Sequence, residues 1–362
     1  MSEPDGISPS ASSPTNQRWQ DHRRLFSKHF HPDVLHRYWP TQRASTLQLL
    51  RKLLSNPENL SRHVRYMRGA TINGITYGLQ VAESNDRYIG AFESGNKSLE
   101  LLIAGTFVLD FLPALGRLPA WHPGAGFLRY LEHALQGTWH LRNVPWSAAR
   151  EAVSAGRGRG CIAQAIIEQF NRPGHSTAMH EEEQMARDVA GASYSAICNF
   201  FVAMSLFPDV QRHSQAELDA VVGSGRLPEL TDRDALPYTN AIVQEILRWN
   251  TIGPLGIAHS STSDDEYRGY LYMSSRWNPR SILHDPNVFP RKDGKLDTSA
   301  NRDPADLVFG FGRRFVFDPH ILLIPLFMII ASVLRAFTIR PPLDKNGQSI
   351  RIQPRATSTL VS

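Results

Sequence analysis

Fourteen residues from Ile321 to Leu334 are apolar apart from Pro325 and Ser332. No other segment limits the fold so tightly. The run is too short to cross a bilayer, which takes about 20 apolar residues in a helix. A helix that is apolar on every side must be enclosed by other elements. The chain therefore needs amphipathic partners that wrap a central helix. Pro325 predicts a first-turn position, where a missing N–H removes no bond. With 41% of its 362 residues apolar, the chain has enough material for such a core.

The partners are predicted by helical periodicity. Trp19 to Phe30 reads as one helix, and His31-Pro32-Asp33 ends it and begins another. Ser45 to Leu54 carries a stripe of Leu47, Leu49, Leu50, Leu53 and Leu54. Pro57 opens a segment that runs on through Arg68 to Tyr77. Leu99 to Phe127, punctuated by Pro113, Pro119 and Pro123, predicts a helix and a rigid connector. Ser154 to Gly160 is a Gly/Arg-rich loop. Glu181 to Phe207 is a long helix ended by Pro208, Ser214 to Val222 another, and Pro237 to Asn250 a third. A small β region is expected over Gly253 to Tyr272, a polar loop over Asp293 to Asp306, and a short strand near Ser349 to Ile352. The fold class is mainly α. The expected layout is a disordered tail over 1–18, one domain over 19–344 and a C-terminal segment over 345–362, with local disorder around 154–160 and 287–306.

Charge and cysteines narrow the functional classes. There are 39 Lys plus Arg against 34 Asp plus Glu, a net +5. That excess suits an acidic partner or anionic surface. No basic run interleaved with aromatics calls for nucleic acid. Two cysteines, Cys161 and Cys198, make no disulfide framework and point to a reducing compartment. No signal peptide is visible, and Asn59-Leu-Ser61 and Asn96-Lys-Ser98 are chance glycosylation patterns. His22, His29 and His31 lack a metal-ligand partner set. The Gly156-x-Gly158 segment is a loop and not a dinucleotide site.

Several motifs then fall in one order. Trp19-Gln-Asp-His-Arg23 opens the helical part, and Glu245-Ile-Leu-Arg248 lies late on a helix. Pro254-Leu-Gly-Ile-Ala-His259, His284-Asp-Pro286 and Arg302-Asp-Pro-Ala-Asp306 follow. Phe309-Gly-Phe-Gly-Arg-Arg-Phe-Val316 precedes the apolar run. Together these resemble the cytochrome P450 superfamily over Trp19 to Ser362. The Leu118-Pro-Ala-Trp-His-Pro-Gly-Ala-Gly-Phe127 connector is similar to fungal secondary-metabolism members such as O-methylsterigmatocystin oxidoreductase.

The resemblance implies a haem-thiolate helical domain that inserts one oxygen atom into a small apolar organic substrate. Electrons would come from NADPH through NADPH-cytochrome P450 reductase, on the endoplasmic reticulum membrane. Trp19, Arg23, His259 and Arg314 would hold the haem propionates, which need cationic donors when buried. Phe309 and Gly312 would shape the haem loop. Glu245 and Arg248 would form a structural network with an arginine, to which Arg291 is a weak match. Their spacing of three lets the side chains meet; the bland alternative is a surface ion pair.

Departures from the pattern cluster around the same site. The position of the iron-ligating sulfur holds Val316, and Phe317-Asp318 replaces the residues that usually follow. Cys161 and Cys198 read as buried small residues, and His320 is the weak alternative ligand. Val189-Ala-Gly-Ala-Ser-Tyr-Ser195 lacks the family's acid and threonine for proton delivery, leaving Ser193 or Ser195 as donors. The turn near Tyr272 and the meander after Pro290 are altered. Relative to the family, the N-terminal anchor and final hairpin are expected to be missing, which leaves a cytoplasmic address open. Three fates are expected to compete. They are a working monooxygenase, a non-catalytic haem- or ligand-binding relative, and a defective product of a pseudogene or mis-spliced transcript.

Overall fold

The computed structural model describes residues 28–82, 86–101, 126–157, 160–170, 194–249, 320–350 and 352. A one-turn helix α1 (Pro32–Leu35) leads into α2 (Trp39–Ser55). Helix α3 (Leu60–Ile72) continues as a π-helical turn, Asn73–Tyr77. Then come α4 (Arg87–Leu101), α5 (Gly126–Ser154), α6 (Ile162–Phe170), α7 (194–206), α8 (Pro208–Val221), α9 (Pro237–Trp249) and α10 (His320–Ala336). Among the described residues there is no strand, only an isolated antiparallel bridge between Leu343 and Ser349. It stands where a short strand is expected. No described helix is long and apolar enough to cross a membrane.

The apolar run is the centre of the molecule. Helix α10 packs against α2, α8 and α9. Its residues Leu322, Leu323, Leu326 to Ala331, Val333 and Leu334 join one core with Leu49, Val64, Phe200, Leu218 and Ile246 from the surrounding helices. Phe327, Ile330 and Val333 have no solvent exposure. Pro325 corrects the expectation: α10 starts at His320, so the proline lies inside the helix. It has no N–H to bond the carbonyl of residue 321. Polar side chains from α8 close the other end of α10, where the last carbonyls lack helical partners. Gln215 Nε2 donates to the Leu334 and Phe337 carbonyls at 3.1 and 3.0 Å. Arg335 Nη2 in turn donates to the Gly223 carbonyl just past α8, at 2.8 Å.

Prolines set several helix starts. Pro32, Pro57, Pro208 and Pro237 each open a helical segment, because a ring-fixed φ suits the first position and the absent N–H is not needed there. Pro208 thus begins α8 as well as ending the helix before it, and α8 starts six residues earlier than Ser214. The Leu54 assignment also changes. Leu49, Leu50 and Leu53 are buried, but Leu54 is 76% exposed. It sits about 100° round the helix from the centre of the buried stripe. The segment through Tyr77 is helical as expected and ends at Gly78, whose φ of +65° suits a left-handed cap. The loop between α5 and α6 is also where expected, with Gly156 and Gly160 both at positive φ.

Helix α5 has no counterpart in the sequence expectations. Its 29 residues contain Pro145 and Gly137, both helix breakers by propensity. Packing overrides them. Helices α4 and α5 lie so close that a Cβ at Gly95 would overlap the Leu141 side chain, and one at Gly137 would overlap Ser98. The expected helices at Trp19–Phe30, Leu99–Phe127 and Glu181–Phe207 are described only at 28–30, 99–101 with 126–127, and 194–207. The β region Gly253–Tyr272 and the loop Asp293–Asp306 lie outside the described residues.

Candidate functional site

Helix α9 carries the one motif pair that the structure describes in full. An apolar face made of Ile242, Val243, Ile246 and Leu247 turns α9 into the core. Glu245 shares that burial and has no exposed surface. Arg248 Nη2 donates to Glu245 Oε1 at 2.5 Å, and its Nε donates to Oε2 at 2.6 Å. This fork-on-carboxylate geometry is the strong form of the interaction. The carboxylate lies deeper than a surface pair would, while Arg248 keeps 22% of its side chain in solvent.

The start of α9 is held by α8. Glu217 receives the Tyr238 and Thr239 N–H groups at 2.7 and 2.9 Å, and the Thr239 hydroxyl at 2.8 Å. A carboxylate there meets both the unpaired N–H groups and the positive end of the helix dipole. Ser214 Oγ and Thr239 Oγ1 lie 2.9 Å apart in the same buried seam. The rotation of α9, and with it the side on which Glu245 points, is therefore fixed by these bonds from α8 together with the packing of α9 on α10.

Helix α7 begins with Tyr194 and Ser195, the last two residues of the segment read for proton delivery. Ser195 is buried at 2% exposure, and its hydroxyl has no hydrogen-bond partner among the described residues. Ser193 lies outside them. Next to Ser195, Tyr194 places its hydroxyl 2.7 Å from Ser61 Oγ on α3. Its ring lies under two guanidiniums of α3, Arg65 at 5.5 Å and Arg68 at 5.3 Å. Cys198 follows one turn on. Burial pushes its thiol up, against the opposing pull of Tyr194 and the two arginines. Cys161 also has its thiol raised by burial. It packs with Tyr77, Ala149 and Ala163 between α5 and α6.

Arg68 is the residue that the sequence reading missed. Its signal was present: Leu60, Val64, Met67, Arg68 and Thr71 occupy one helical face, so a cation stands in an apolar stripe. The structure leaves Arg68 only 6% exposed, with burial lowering its pKa to about 9.

Trp19, Arg23, His259, Phe309, Gly312, Arg314 and Val316 all lie outside the described residues, as does Arg291. His320 is the first residue of α10. Among the described residues no group of three or more His, Cys, Asp or Glu forms a metal site. What the structure brings together among the described residues is the framework: α7, α9 with its ion pair, and α10 join in one core.

Comparison with known proteins completes the picture. Residues 4–356 match the family described as "Cytochrome P450". The chain is 34% identical to "Cytochrome P450 monooxygenase COX2" of Coprinopsis cinerea, over 96% of this chain and 70% of that protein. It is also 34% identical to "Tryptamine 4-monooxygenase" of Psilocybe cyanescens, over 94% of this chain and 71% of the relative. "Cytochrome P450 monooxygenase COX1" of Coprinopsis cinerea shares 32% identity over 95% and 71%.

Proposed function

Because the chain belongs to the cytochrome P450 family, we propose that its function is haem-dependent oxygenation of a small apolar organic substrate, with the oxygen-activating step impaired. One observation carries the impairment: Val316 stands where the family's glycine loop presents a thiolate. An isopropyl group has no lone pair for iron. The sulfur is also what favours cleavage of the O–O bond in such centres.

Both described thiols are engaged elsewhere, Cys161 in its apolar cluster and Cys198 beside Arg68 and Tyr194. Burial raises both, so neither offers a thiolate. The residues at hand do not complete a thiolate-ligated haem, and no oxygen-transfer step is assigned to them. Trp19, Arg23, His259 and Arg314 remain the proposed propionate contacts. A flavoprotein reductase fed by NADPH remains the proposed electron donor.

A second reading is favoured by the closed core around α10. A core packed around α10, with Val316 at the ligand position, suits a relative that binds haem or an apolar ligand without activating oxygen. One spectrum separates the two. The chain is reconstituted with haem, reduced and exposed to carbon monoxide, alongside Val316→Cys. The impaired-oxygenase reading expects haem uptake without the thiolate-type red-shifted Soret band, and its appearance in Val316→Cys. A thiolate band in the unaltered chain overturns the impairment. A histidine-type band in both proteins favours the ligand-binding relative, and absence of haem uptake in both overturns the haem reading itself.

A further inference from the structure

Arg68 is a buried guanidinium with unmet donors. Among the described residues its Nε and Nη2 have no hydrogen-bond partner, and no carboxylate bears on it. The groups that do are Cys198, Tyr194 and a like-charged Arg65. Aromatic rings cover it instead: Phe92 of α4 at 5.7 Å and Tyr194 of α7 at 5.3 Å from its central carbon. Such contacts offset part of the cost of burying the charge. They leave the N–H groups unsatisfied, and a buried cation without an anion is among the most costly arrangements in a core. A chain that holds one has either a stability defect or a missing ligand.

We propose that Arg68 is the anion-binding residue of a site for a small, flat organic carboxylate, enclosed by α3, α4 and α7. A carboxylate matches the two free donors of a guanidinium fork. Flat shape follows from the walls, because Phe92 and Tyr194 present rings to the same guanidinium. Tyr194 is the side chain that yields on entry. It is half-buried, its hydroxyl meets the exposed Ser61, and the exposed Arg65 lies over the same ring. Arg65 thus gives an incoming anion a first cation at the surface, and Arg68 a second one inside. The site uses none of the haem-loop residues and stands or falls independently of the iron chemistry.

Benzoate is the probe, with benzamide as its neutral isostere, added to the full chain without haem. The expected result is a rise in melting temperature with benzoate and none with benzamide. Arg68→Met is expected to fold, since it removes an unpaired charge, and to lose the benzoate response. Arg68→Lys keeps the charge but not the fork, and should raise the half-saturating benzoate concentration by roughly tenfold, about 1.4 kcal/mol. Cys198 supplies a local readout. Benzoate should slow its alkylation by iodoacetamide relative to Cys161 in the same molecule. Equal responses to the two probes, no response to either, or a benzoate response that survives in Arg68→Met overturns the proposal. So does a loss of stability in Arg68→Met, which would mean that a carboxylate of the chain already pairs with the guanidinium.

Discussion

Arg248 on α9 and Arg68 on α3 both reach into the helical core. Arg248 reaches out of the core with 22% of its side chain in solvent and grips a fully buried carboxylate with two short bonds. Arg68 is enclosed, faces two rings and a thiol, and has two nitrogens without acceptors among the described residues. Burial of charge is common to both regions, and pairing belongs to one. The contrast separates a guanidinium that holds the fold from one that strains it. The same residue type therefore predicts opposite mutational signs.

The largest effect should come from breaking the pair. Arg248→Met removes two short charged bonds from the buried Glu245 carboxylate, and urea unfolding should show a loss of about 3–5 kcal/mol. Glu245→Gln should cost less, because Arg248 keeps access to water. If both variants unfold like the parent, the pair is an ordinary surface contact and the comparison collapses. Next in size is Arg68→Met, with the opposite sign. Removing an unpaired buried cation from an apolar stripe should gain about 1–4 kcal/mol, read as a higher urea midpoint at unchanged slope.

The smallest effect comes from a third arginine at the surface. Arg226 forks onto Asp232 at 2.6 and 2.7 Å, and this hydrogen bonding holds the Asp232 carboxyl below its ordinary value. A depressed carboxyl stabilises the fold above its unfolded value, near 3.8, and that contribution is lost as pH falls through the folded value. Arg226→Gln should lower the urea midpoint only slightly at neutral pH. The difference between variant and parent should vanish in strong acid.

Much of the framework was legible in the chain because its signals are local. A proline at a helix start is read from one residue, and Pro237 marks the start of α9 correctly. The Glu245–Arg248 contact is legible from spacing, since residues three apart on a helix are neighbours. Helix α5 was not legible. Gly137 and Pro145 argue against a helix, and only the closeness of α4 makes the glycine useful. Leu54 failed for a related reason: it borders the apolar stripe, and no partner covers that border.

The candidate site divides along the same line. The glycine loop and Arg314 are facts of order along the chain, so the family was readable from residues alone. Family membership is confirmed over residues 4–356. Arg68 shows the limit. Its place in the apolar face of α3 could be read from the sequence. Its isolation could not, because the rings and thiol around it come from α4 and α7, far along the chain. By itself the sequence determined that a wholly apolar helix must be enclosed and which residues would face inward. Only the tertiary structure decided which inward-facing charge meets a counter-charge, because burial and pairing depend on every element that converges on a point.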